Sequence, residues 1–206
     1  MPLKKLHEIW DEYLEHATLS AESKRDLIWH LQNDEKPIPA IILTTDMKLK
    51  EMVTYIAPYL THEKSMVREI TVSHLVGRLC QVQYAEKAFQ MVTEDSDSGV
   101  RTLALSSLGY VLDDMEKDLQ TRIVKFILDL IEHPKEVEEF VYDPETEECE
   151  YPKREQEGMR RTAYNSMIKA LGVWYTDRPS ARQQLQKPLE QDEYIQAFKK
   201  KYGVQG

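Results

Sequence analysis

The densest chemistry in the chain lies between His133 and Glu157. Ten acids stand there: Glu136, Glu138, Glu139, Asp143, Glu145, Glu147, Glu148, Glu150, Glu155 and Glu157. Only Lys135, Lys153 and Arg154 oppose them, so the segment carries −7 of the chain's −9. Phe140, Val141, Tyr142 and Tyr151 are set among these charges. Carboxylates steer a cationic macromolecule toward a surface, and aromatic rings anchor it once it arrives. The expected partner is therefore another protein with a basic surface. The candidate partner-binding residues are Glu138, Glu139, Tyr142, Asp143, Glu145, Glu147, Glu148, Glu150 and Tyr151. Calcium fits poorly, because the acids do not follow the twelve-residue loop spacing and its central glycine is missing. Asp143-Pro144-Glu145-Thr146 reads as a turn between two extended arms, Val137–Tyr142 and Cys149–Tyr151, giving an acidic loop or a small hairpin.

Catalytic patterns are scarce elsewhere. Neither Gly-x-x-x-x-Gly-Lys-Ser/Thr nor Gly-x-Gly-x-x-Gly occurs, so no standard phosphate or dinucleotide loop is present. A Gly-x-Ser-x-Gly nucleophile turn is also missing. His7-Glu8 and His62-Glu63 each begin a His-Glu pair, but no second histidine follows at the helical spacing a zinc protease needs. His74 falls near an apolar stripe and reads as a core or helix-surface residue rather than a ligand. Cys80, between Leu79 and Val82, reads as a small buried hydrophobe, and acids flanking Cys149 blunt its nucleophilicity. The two cysteines lack zinc or disulfide-framework spacing, which suits a reducing cytoplasm. No cofactor or metal is expected, and the chain is read as non-enzymatic.

The elements that must position these residues are helices. Of the 206 residues, 41% are hydrophobic and 31% charged, the balance of a folded domain rather than a disordered chain. Seven glycines are too few for an all-β fold full of tight turns. The opening Met-Pro-Leu-Lys-Lys-Leu-His-Glu has no apolar core of a leader, and no run approaches about 18 apolar residues. Secretion and membrane spanning are therefore not expected, and the expected location is cytoplasmic. Val100, Leu103, Ala104, Leu108, Val111 and Leu112 form one stripe at helical period, and Leu119, Ile123, Phe126, Ile127 and Leu130 another. Met52, Val53, Ile56, Ala57 and Leu60 make a third, with Thr45 or Asp46 as its expected N-cap. Pro37–Leu43 is the one β-like run, and its prolines mark it as a connection leading into a helix. Eight to ten helices with short links are expected, in an all-α single domain over residues 1–206, ending in a flexible basic tail at 199–206.

An internal repeat orders these helices. Ser65-Met66-Val67-Arg68-Glu69-Ile70-Thr71 aligns with Ser98-Gly99-Val100-Arg101-Thr102-Leu103-Ala104 at an offset of 33, with Gly77 and Gly109 following. A third copy is Gly158-Met159-Arg160-Arg161-Thr162-Ala163, leading to Ala170-Leu171-Gly172. In the first two copies a serine stands at the expected N-cap. The phrase Glu94-Asp95-Ser96-Asp97-Ser98-Gly99-Val100-Arg101, running on to Leu108-Gly109, resembles the short-repeat branch of the HEAT-repeat family. That resemblance implies a right-handed α-solenoid of stacked antiparallel helix pairs, and it carries no chemistry of its own. Within it, Asp95 or Asp97 can cap the next helix, Arg101 can reach back to those carboxylates, and Arg68, Arg101 and Arg160 read as structural pairs.

Three functions follow as expectations. The first is a protein-binding module, specifically an immunity protein that neutralises a basic toxin by presenting carboxylates where phosphates would lie. The second comes from HEAT-like proteins that resemble alkylpurine DNA glycosylases, which would recruit Trp10, Trp29 and Trp174 with Asp113 or Asp114. Basic residues cluster only at Lys199-Lys200-Lys201, so nucleic acid is an unfavoured partner. The third is a scaffold subunit of a larger assembly.

Overall fold

Alternation of apolar residues every three or four positions produces helices nearly throughout. The structure is a computed structural model and describes residues 3–33, 36–134, 141–143, 148–150, 152–173 and 180–204, with only the backbone given for 141–143, 148–150 and 152. In chain order the α-helices are α1 (Leu6–His16), α2 (Ala21–Asn33), α3 (Ile38–Asp46), α4 (Val53–Ile56), α5 (Ser65–Val72) and α6 (Ala85–Glu94). They continue as α7 (Ser98–Leu108), α8 (Lys117–Glu132), α9 (Pro152–Ala170), α10 (Ala181–Gln184) and α11 (Glu193–Tyr202). Short 3-10 turns flank α4 at Lys50–Met52 and Ala57–Thr61. The class is all-α, with one small ribbon of strands β1 (Val141–Asp143) and β2 (Glu148–Glu150).

The helices pack in two layers. Helices α3, α5, α7, α9 and α11 each contact the next in that series. Helix α2, the 50–61 segment, α6 and α8 pair with α3, α5, α7 and α9 respectively. Phe89 meets Phe126 edge-on between α6 and α8, with ring centroids 5.4 Å apart. One apolar core runs the length of the array, from Ile9 through Ile56, Leu75, Leu105 and Ile127 to Tyr164 and Phe198. Burying each such side chain contributes about 1.5–3 kcal/mol, which is what holds short helices that would not persist alone.

Close helix contact is repeated. A methyl group added at Gly77 would sit 3.2 Å from Ser107 Oγ, and one at Gly109 only 2.7 Å from the Ser166 carbonyl oxygen. Thus the turn that follows α5 approaches α7, and the C-cap of α7 approaches α9, each through a glycine laid on a serine. The spacing from Ser65 to Gly77 is one residue longer than that from Ser98 to Gly109. A π-helical turn at Ser73–Arg78 follows α5, with Leu79 N–H donating to His74 O at 2.9 Å. A turn closed five residues back takes up one residue more than an α turn, so the π turn accommodates the insertion and keeps the glycine in place.

Several expectations need correction. Pro37–Leu43 is not a connection: most of it is the first two turns of α3, which admits Pro39 because a first-turn N–H has no helical acceptor to lose. Thr45 and Asp46 therefore end α3 rather than cap the next helix. Ser65 and Ser98 are the first residues of their helices, and the cap positions are Lys64 and Asp97. Cys80 is exposed, not buried, because it closes the π turn with φ +51 and its side chain turns outward. Lys199, Lys200 and Lys201, expected in a flexible tail, occupy the last turn of α11. Phe198 and Ile195, fully buried on the same helix, dock that turn onto the array. No described helix is long and apolar enough to cross a membrane.

Candidate functional site

Short connections join α6 to α7 and the 50–61 segment to α5, and a longer one joins α8 to α9. At the α6–α7 connection the sequence phrase builds a lock. Asp97 Oδ1 accepts from Val100 N at 3.1 Å, capping α7. Asp95 takes both arms of the Arg68 guanidinium, at 2.8 Å from Nε and 2.7 Å from Nη2. Arg68 Nη1 also donates to the carbonyls of His62 and Glu63, so it ties the preceding connection to this one. Bonding to Arg68 holds the Asp95 carboxyl below its usual range. Arg101 reaches back as expected, but to the Asp95 carbonyl oxygen at 2.5 Å, because Arg68 already occupies the carboxylate. Its other arm binds Glu155 at the start of α9.

The third connection is the acidic one, and its base is anchored on both sides. Glu132 at the end of α8 pairs with Lys199 at 2.7 Å, and Glu155 pairs with Arg101. Between these anchors β1 and β2 run antiparallel, with Val141 opposite Glu150, Tyr142 opposite Cys149 and Asp143 opposite Glu148. The hairpin expectation is met with a shifted boundary: Asp143 ends a strand rather than opening the turn. Of the nine candidate partner-binding residues, Tyr142, Asp143, Glu148 and Glu150 are thereby brought onto one ribbon. Glu138, Glu139, Glu145, Glu147 and Tyr151 lie outside the described residues, as does Trp174.

Other singled-out residues are used inside the fold. His74 is buried, with Nδ1 2.5 Å from Thr45 Oγ1, and burial followed by the nearby Arg78 lowers its pKa, so it is a neutral core residue. Asp113 accepts from Lys201 Nζ and Tyr202 Oη, both at 2.7 Å, which fastens α11 to the array. Trp10 stacks on Tyr13 in α1, and Trp29 stands 45% exposed on α2 against His30. These two rings thus belong to the N-terminal helices, while Asp113 is bonded to the last one. Arg160 departs from the expected pairing: its Nε donates to the Ile131 carbonyl at 2.9 Å, since Asp95 and Asp97 of the second copy have no acidic counterpart here. Among the described residues, no group of three or more His, Cys, Asp or Glu side chains gathers as a metal site.

Sequence reasoning missed a second cluster, where the segments that follow α5 and α7 meet the end of α9. Arg78 at the end of the π turn, Tyr110 in the turn after α7 and Lys169 in the last turn of α9 occupy equivalent repeat positions, once the extra π-turn residue is counted. Tyr110 is 55% exposed, and Lys169 Nζ lies 4.3 Å from its ring centroid. Ser73 and Ser106 complete a shallow cavity of about 350 Å³. Carrying the repeat alignment past the glycines would have found this row.

A scan of protein-family models, a search of curated proteins and a search of solved structures each return no match to this chain.

Proposed function

We propose that this chain is a HEAT-like α-solenoid acting as a non-enzymatic protein-binding module, with the acidic ribbon as its contact element. The partner is a protein with a basic surface, and the specific reading is an immunity protein that blocks a basic toxin such as a nuclease. One observation carries this. The offset between matching arginines grows from 33 (Arg68 to Arg101) to 59 (Arg101 to Arg160), and most of the growth falls in the α8–α9 connection, which has 19 residues against three between α6 and α7. Core packing across that connection is unbroken, with Ile127 and Ile131 of α8 and Ala163 and Met167 of α9 all fully buried. The surplus is thus not needed to close the core, and its charges are free to serve recognition. The Arg78–Tyr110–Lys169 row supports a second contact area, since exposed Tyr and Arg are the residue types that dominate binding energy.

Charge reversal tests the reading. Each Glu→Lys change adds two charges, so E145K/E147K/E148K/E150K moves the chain from −9 to −1. Affinity capture from extracts of the source cell should recover a basic protein with the parent chain. That recovery should fall steeply between low and physiological salt, where the Debye length is about 8 Å. The reversed variant should lose the capture while keeping its helical circular dichroism. Unchanged capture by the reversed variant removes the ribbon from the function. Tight, salt-dependent binding of duplex DNA by the parent chain would overturn the protein-partner reading altogether.

A further inference from the structure

We propose that the cavity between α9 and α10 is a binding site for a small phosphate monoester. The cavity measures about 420 Å³ and is lined by Glu157, Arg160, Arg161, Arg182, Leu185 and Gln186. That volume falls in the range of about 300–1,000 Å³ typical of small-molecule sites.

The guanidiniums are what mark it. In a chain with 36 acids, Arg25, Arg68, Arg78, Arg101 and Arg122 each hold a carboxylate. Arg160, Arg161 and Arg182 hold none among the described residues, and all three line the same cavity. Arg160 Nε is spent on the Ile131 carbonyl and Arg161 Nε on the Glu157 carbonyl, which orients both side chains. Burial pulls Arg160 below its ordinary pKa, with Glu157 acting against that pull. A partly buried guanidinium in that condition gains from an anion. Arginine forks suit phosphate, because their planar N–H groups meet two oxygens at once.

The charge balance narrows the ligand. Three guanidiniums against the Glu157 carboxylate leave +2, and a phosphate monoester carries about −1.5 to −2 at pH 7. Glu157 repels a second phosphate and accepts a hydroxyl, so a singly phosphorylated, hydroxylated molecule fits better than a diphosphate. Leu185 offers an apolar wall, and the Gln186 amide adds one polar contact. The site shares only Glu157 with the acidic 133–157 segment, contains none of the nine candidate partner-binding residues and does not depend on the partner reading.

Phenyl phosphate, titrated into the full chain by calorimetry, is the direct probe. The expected result is saturable one-to-one binding, weakened at least tenfold by R161Q and by R182Q and unchanged by R122Q, whose partner is Glu86. E157Q should tighten phenyl phosphate and improve inorganic pyrophosphate even more. Circular dichroism confirms that each variant is folded. Absence of saturable binding, or equal affinity in R161Q/R182Q, overturns the proposal. A phosphoserine peptide that binds more than tenfold tighter than phenyl phosphate would also overturn it, by making the ligand a protein.

Discussion

Replacing Gly109 by alanine tests how closely α7 and α9 are packed. Gly109 has φ −60 and ψ −22, a conformation any residue adopts without strain. On backbone entropy alone, the substitution should therefore stabilise the fold by about 0.5–1 kcal/mol. The added methyl, however, would lie 2.7 Å from Ser166 O, 2.9 Å from Ser166 Cα and 3.1 Å from Ser166 Cβ. Comfortable carbon contacts are about 3.5–4.0 Å, so the overlap exceeds half an ångström and falls on backbone that cannot swing aside. Over-packing of this kind costs about 1–3 kcal/mol, leaving a net loss of about 1–2 kcal/mol. Urea unfolding measures this directly, read from the midpoint at constant slope. S166G should not restore stability, because the carbonyl oxygen and Cα remain. Gly77→Ala should cost less and should respond to S107G, since the nearest atom there is the Ser107 hydroxyl at 3.2 Å. Gly158→Ala on α9 meets nothing within 4 Å and should stabilise by about 0.5–1 kcal/mol. A Gly109→Ala protein as stable as its parent would refute the close approach of these helices.

Three further outcomes are expected. D95A should destabilise by about 3 kcal/mol, because it strands a guanidinium that is 13% exposed, and R68A/D95A should cost less than the two single changes combined, as a double-mutant cycle would read. His74 has a folded pKa below its unfolded value of about 6.5, so the unfolded chain binds the extra proton; stability should fall as pH drops through that value and level off below the folded pKa. H74Q should remove this part of the pH dependence in thermal unfolding. D113A should speed amide hydrogen exchange across Glu193–Tyr202 while leaving the exchange of α5 and α7 unchanged, because α11 loses two bonds at its C-terminal turn.

Much of this architecture was readable from residue order. The stripe Val100, Ala104 and Leu108 is buried as its spacing requires, and Asp97 caps α7 as an acid before Val-Arg should. Local rules decide such features, since a helical face and its cap involve residues within a few positions of one another. The acids of the 133–157 segment were equally plain, and so was a hairpin between them. Where local signals competed, the reading failed. The prolines of Pro37–Leu43 suggested a break, yet Ile41 and Ala40 are fully buried and the core retained the helix. Cys80 looked apolar by its neighbours, but a left-handed turn set its direction.

Partner choice across the fold was decided only in three dimensions. Residue order placed three arginines at matching positions and could not say that one would grip Asp95, one would bridge to Glu155 and one would turn toward a carbonyl. It showed Lys199 and Lys201 as a basic cluster, whereas packing turned them into ties to Glu132 and Asp113. The convergence of Arg160 and Arg161 with Arg182 needed α10 to fold back onto α9. Helical period and capping are properties of a short stretch of chain. Which charges meet depends on how separate helices dock, and that is set by the burial of the whole apolar face at once.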